Sequence, residues 1–157
     1  MVYAKRIIIF LFLGISLLNA QKVEVKADNI FINEKLLFSE LTGNVSVKKG
    51  NTDSLTSKKL NIYFDKNKQP LKYVAQGNAK FKGLLDGKHY EGKAQKIIYE
   101  PQNSKYTLIG DAFIREIDTD KRVYGNKINV DEIKGTYEVE GDNKKPVRLI
   151  FDIEEKK

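Results

Sequence analysis

His89 is the only histidine in the 157-residue chain, and cysteine is absent. A His/Cys metal centre or a cysteine nucleophile therefore has no residues from which to be built. A Ser-His-Asp arrangement would need His89 as its base. That residue lies in Asp86-Gly87-Lys88-His89-Tyr90, where Asp-Gly signals a hairpin turn entering a strand. The setting reads as a histidine on the surface or on a cavity rim. The 21 acidic residues are scattered, and none stands in the distinctive pairing that a glycosidase requires. The chain has no phosphate-binding Gly-x-x-x-x-Gly-Lys loop, no Gly-x-Gly-x-x-Gly and no His-Glu-x-x-His. The expectation is a protein that is not an enzyme, without catalytic residues, metal or cofactor.

Binding chemistry is more visible than catalytic chemistry. The formal charge is +7, and it is unevenly spread. Residues 48–96 hold 12 lysines against four acids, whereas 21–47 and 97–157 are each slightly acidic. A concentrated basic region favours an anionic partner, against the plainer reading of solvated strand faces. Nucleic acid is a poor candidate, because no Arg-rich or RNA-binding aromatic motif is present.

The elements that position these residues are set out by an internal repeat. Leu41-Thr42-Gly43-Asn44-Val45-Ser46-Val47 returns as Ala75-Gln76-Gly77-Asn78-Ala79-Lys80-Phe81 and as Leu108-Ile109-Gly110-Asp111-Ala112-Phe113-Ile114, and Gly141-Asp142 begins a degenerate fourth copy. The glycines lie 34, 33 and 31 residues apart, a period that marks repeat architecture. Between them recurs a small residue followed three and five positions later by apolar ones: Ala27 with Ile30 and Ile32, Ser57 with Leu60 and Ile62, Ala94 with Ile97 and Tyr99, Gly125 with Ile128 and Val130. Both phrases alternate with period two, and no stretch after residue 20 sustains a helical period, so the fold class is all-β.

Positions −4, −2, +2 and +4 around each glycine share one face. These are Tyr73, Ala75, Ala79 and Phe81 in one copy and Tyr106, Leu108, Ala112 and Ile114 in the next, with Tyr137 and Val139 repeating the first half. If the strands run straight, the glycines point inward as well. Glycine inside a strand marks a bend, a bulge or the close approach of another group. One reading is a corner where each strand passes from one sheet to another. The other is a set of stacked glycines and alanines that leave a groove for an acyl chain. The two readings are compatible.

At the N-terminus, Lys5 and Arg6 precede an apolar run from Ile7 to Leu18, with Ala20 following. This is the layout of a secretory signal peptide over residues 1–20, and the run is short for a membrane span. Residues 21–157 are then one domain of ordinary size. Pro70, Pro101 and Pro146 fall between apolar alternations and read as turn residues.

With the repeated Gly-Asn-Val, Gly-Asn-Ala and small-x-x-apolar-x-apolar phrases behind an export signal, residues 23–153 resemble the OstA-like family of periplasmic lipopolysaccharide transport proteins, the LptA family. The resemblance implies an antiparallel β-jellyroll, V-shaped and built by repetition into two sheets, whose apolar interior holds the acyl chains of lipid A. It implies a lipid-binding inner face made by Val45, Val47, Leu60, Ile62, Phe64, Tyr73, Ala79, Phe81, Ile97, Tyr99, Leu108, Ala112, Ile114, Ile128, Val130, Tyr137 and Val139. Lys80, Lys82, Lys88 and Lys93 are candidates to hold the phosphates of the ligand as charge-assisted pairs. The partners implied are lipopolysaccharide, inner-membrane LptC-like and outer-membrane LptD-like proteins at opposite edges, and further copies of the chain head to tail. The rival readings are a membrane-anchored LptC-like component, which would keep its N-terminal helix, and a secreted structural or adhesive β-solenoid with a closed core. The first expected edge strand is near residues 23–32 and the last near 147–153, and neither apolar alternation is interrupted by proline.

Overall fold

A computed structural model describes residues 22–156. The expected signal peptide, residues 1–20, lies outside the described residues. Ten strands follow one another: β1 (Val23–Lys26), β2 (Asn29–Asn33), β3 (Phe38–Lys49), β4 (Asp53–Phe64), β5 (Pro70–Leu85), β6 (Lys88–Glu100), β7 (Lys105–Glu116), β8 (Lys121–Asp131), β9 (Thr136–Glu140) and β10 (Arg148–Ile150). A single turn of 3-10 helix, Pro101–Asn103, joins β6 to β7. All described pairings are antiparallel, and β3 to β8 lie side by side in chain order. The expected all-β class and open, V-shaped β-jellyroll are what the chain forms.

The two repeated phrases turn out to be the two sides of one crease. At Gly43-Asn44, Gly77-Asn78 and Gly110-Asp111 both residues take positive φ, from 45° to 83°. At each pair the ladder shifts, so that two residues of an odd strand stand beside one of its neighbour. These are β-bulges, which bend the strand that carries them. Stacked across the sheet, they fold it into two leaves. The terminal strands break at the same line instead of bulging: β1 and β2 both pair with β3, and β9 and β10 both pair with β8.

The glycines therefore do not face the interior. A Cβ on Gly43, Gly77 or Gly110 would meet the side chain of Asp28, Lys58 or Gln95, all of them exposed outside the crease. The corner reading stands, and the inward glycine groove is corrected. Gly77→Ala should destabilise the fold by about 1–2 kcal/mol, because alanine would be held at φ +82° with its Cβ 2.7 Å from Lys58. Thermal or urea unfolding measures this loss.

Inner rows of side chains explain the remaining pattern. Next to the crease the second leaf (β1, the far half of β3, and onward to β10) presents Val45, Ser57, Ala79, Ala94, Ala112 and Gly125, small residues where the leaves converge. The first leaf presents Leu41, Leu60, Ala75, Ile97, Leu108, Ile128 and Val139 in one cross-strand row. Farther from the crease the residues enlarge to Ile62, Tyr73, Tyr99, Tyr106 and Val130 on one leaf, and to Val47, Leu55, Phe81, Ile114 and Val123 on the other. The core is a wedge, tapering from aromatic at the mouth to alanine at the fold line. Leu41, Leu60 and Ile62 are fully buried in it, each worth about 1.5–3 kcal/mol of apolar transfer.

Candidate functional site

Toward the mouth the wedge is not filled. A cavity of about 520 Å³ lies between the leaves, within the 300–1,000 Å³ range of ligand pockets. One wall is Val47, Leu55, Phe81 and Leu85 from the second leaf. The opposing wall is Tyr73, Ala75, Ile97, Tyr99 and Tyr106 from the first. Lys49, Asp53, Lys82, Gln69 and Gln102 supply polar groups to its lining. The arrangement combines an apolar interior with cationic and amide side chains.

The aromatic wall is built by cross-strand register. Tyr73 stands opposite Tyr99, and Tyr99 opposite Tyr106. Their rings stack, with centroids 5.8 Å and 4.4 Å apart and planes tilted by 18° and 13°. Such offset stacking adds to the area the rings bury. Burial, and after it the charges of Tyr99 and Glu132, act on the Tyr106 phenol. Burial drives all three phenols above the ordinary tyrosine range, so the wall is uncharged at neutral pH. Glu132, in the β8–β9 turn, is also raised, by burial and then by the charge of Asp86 at the β5–β6 tip, against the hydrogen bond from Tyr106. On the facing wall the Phe81 ring lies over Gly92, its cross-strand neighbour, at a position where a Cβ would collide with it.

A second polar group closes the inner face farther along. Glu116 is buried at the end of β7, 3.3 Å from the Tyr90 hydroxyl, 3.0 Å from the Thr119 hydroxyl and 3.5 Å from Lys88 Nζ. Burial works to raise its pKa, but the Thr119 hydrogen bond and the charges of Lys88 and Lys121 leave it lowered. Tyr90 is pushed up to about 12, by burial first and then by Glu116. His89 sits at the start of β6, half exposed, with Nδ1 3.2 Å from Asp118 Oδ1.

Of the residues expected on the inner face, Val45, Val47, Leu60, Ile62, Tyr73, Ala79, Ile97, Leu108, Ala112, Ile128 and Val130 are buried core. Phe64, Phe81, Tyr99, Ile114 and Val139 pack against that core. Tyr137 is 64% exposed: its register opposite Val130 is inward, but the leaf ends there. Val47, Tyr73, Phe81, Ile97 and Tyr99 line the cavity. Ala79 and Ala112 belong to the crease row and do not.

The lysines are dispersed. Lys82 contributes to the cavity wall, and Lys88 is committed to Glu116. Lys80 and Lys93 stand opposite one another on the outer face, alternating with the buried Ala79 and Ala94. Tyr106, on the inner face by its parity with Gly110, lines the cavity, as do Lys49 and Leu55, for which the alternation carried no separate expectation. Leu55 lies two positions before the small residue Ser57, and that offset, applied to each copy, was the available signal.

Compared with families of known proteins, the chain matches the model for the LptA/(LptD N-terminal domain) LPS transport protein over residues 16–136. Among solved structures it is similar to LptH, the LptA homologous periplasmic component of the conserved lipopolysaccharide transport device from Pseudomonas aeruginosa. The identity is 18% and the TM-score 0.70, over 85% of this chain and 96% of that one. That likeness concerns the fold. No curated protein matches the chain.

Proposed function

The chain belongs to the lipopolysaccharide transport family that includes LptA and the N-terminal domain of LptD, and from that premise we propose that it is a periplasmic carrier that holds lipopolysaccharide by its acyl chains between its two leaves. The observation that supports this most is the unfilled apolar cavity with Lys49 and Lys82 in its lining. Burying an acyl chain is worth about 0.8 kcal/mol per CH₂, so affinity follows from length and needs no special contact. Walls of aromatic and aliphatic side chains impose little register along a chain, which suits a ligand that must slide. The carrier has no chemical step, and no residue is assigned a catalytic role.

The same reading covers assembly. The inner rows end in exposed apolar side chains, Ile30 and Ile32 on β2 at one end, Tyr137 on β9 and Leu149 on β10 at the other. A second copy added edge to edge would continue the rows and cover them, giving an open, head-to-tail bridge. LptC-like and LptD-like partners would meet its two ends by the same strand addition.

Displacement of a fluorescent fatty acid tests the carrier. Lipid A should displace it, and the displacement should weaken as salt is raised, because its phosphates meet Lys49 and Lys82 in screened surroundings. A neutral acyl lipid should show no such response. Failure of either ligand to displace the probe would sink the proposal, and an equal salt response would remove the lysines from it.

A further inference from the structure

We propose that the outer face of the second leaf is a docking face for an anionic lipid surface. Outside the crease, one cross-strand row runs over eight strands from β1 to β10. It carries the cations Lys26, Lys80, Lys93 and Arg148 and the aromatics Phe113 and Tyr124, with hydroxyl side chains at the two positions between. The row contains no acid. The corresponding row of the first leaf does contain one, Glu140, and its Lys59 is paired with Glu40 at 2.9 Å.

Pairing on the second leaf is incomplete. Lys26 reaches Glu24 at 3.2 Å, and Arg148 stacks on Tyr124 at 4.2 Å from the ring centroid. Lys93 is 5.8 Å from the centroid of Phe113. Lys80 forms no salt bridge among the described residues, and its directly opposite neighbour is Lys93. Like charges in that position weaken a sheet. A row that keeps them has its compensation outside the fold.

The shape of the row selects the partner. With strands about 4.8 Å apart, eight of them span about 34 Å, far longer than a single small anion. Lysine offers a point charge suited to a diffuse field more than to bidentate capture of one phosphate. Phe113 and Tyr124 flank the cations, and Ile150, 39% exposed and two residues after Arg148 on β10, lies on the same side of the leaf. Aromatic and aliphatic groups beside lysines suit the interface of a bilayer, where each basic residue contributes about one step of surface attraction.

Co-sedimentation with phosphatidylcholine vesicles, with and without phosphatidylglycerol, tests this. The chain should bind only the phosphatidylglycerol vesicles, and less as salt rises. Lys80→Glu changes the row by two charges and should weaken binding about 30-fold, which is about 2 kcal/mol at 1.4 kcal/mol per tenfold. Its thermal stability should hold or rise, since the new carboxylate faces Lys93. Lys96→Glu on the first leaf should bind as the parent does, as should Leu55→Glu, whose cavity is altered. Equal binding by Lys80→Glu and the parent, or equal binding to both kinds of vesicle, would overturn the proposal. So would competition by soluble polyphosphate at vesicle strength with no loss on Phe113→Ser, which would assign the face to a polyanion instead.

Discussion

Leu55→Glu should lower uptake of a fluorescent acyl lipid about 100-fold while the chain still folds. Leu55 lines the cavity and stands between Val47 and Phe81 in the middle row of the second leaf. It is half-buried, so in the empty protein the carboxylate keeps contact with water. An acyl chain entering beside it removes that water. The carboxyl must then give up its charge, and a rise of about two pKa units costs close to 2.7 kcal/mol at 1.36 kcal/mol per unit. The same substitution at Leu60, which has no exposure and does not line the cavity, would unfold the protein instead. Titration of the probe against parent and variant, with circular dichroism to establish folding, measures the effect. Unchanged uptake would place the lipid elsewhere.

This contrast between Leu55 and Leu60 is one the alternation alone does not supply. Period two assigns both to the inner face, and both are there. The distance from the crease decides which one meets a ligand, and that distance depends on where the sheet bends. The bend was in principle legible: each repeated glycine is followed by Asn44, Asn78 or Asp111, residue types enriched at positive φ. Two consecutive left-handed residues turn the glycine outward while leaving Leu41 and Val45, or Ala75 and Ala79, on the same inner side. Inner-face parity therefore survives the bulge, although the glycine itself departs from it. The phosphate-contact lysines were less legible because charge density along the chain ignores face. Lys80 and Lys93 fall on the outer face and Lys88 is held by Glu116, a sorting that charge density does not contain. The final edge was half legible, since Leu149 and Ile150 lie in β10 but the residues beyond them form no strand. No sequence periodicity announces that β9 shares that edge.

Ile30→Lys with Ile32→Lys should reduce head-to-tail association by nearly 1,000-fold. Both side chains point along the inner face of β2, 51% and 37% exposed at the open edge. Covering each with a second copy is worth about 2 kcal/mol, so losing both removes about 4 kcal/mol. Inward-pointing charge on an edge strand is also a device by which sheets prevent pairing. Neither residue lines the cavity, so a single copy should still take up the probe. Light scattering over rising concentration should show the parent growing into oligomers and the variant staying monomeric. A parent that remains monomeric throughout would remove edge pairing between copies from the account.

The most direct measurement is photo-crosslinking to detergent-dispersed lipopolysaccharide, with no bilayer present for the outer face to meet, from two adjacent positions, 55 and 56. Leu55 faces the cavity, and Thr56 is exposed on the outer side of the same strand. A photoreactive side chain at position 55 should crosslink to lipopolysaccharide, and one at position 56 should not. Crosslinking from 56 and not from 55, or from neither, would contradict the claim that the ligand lies between the leaves.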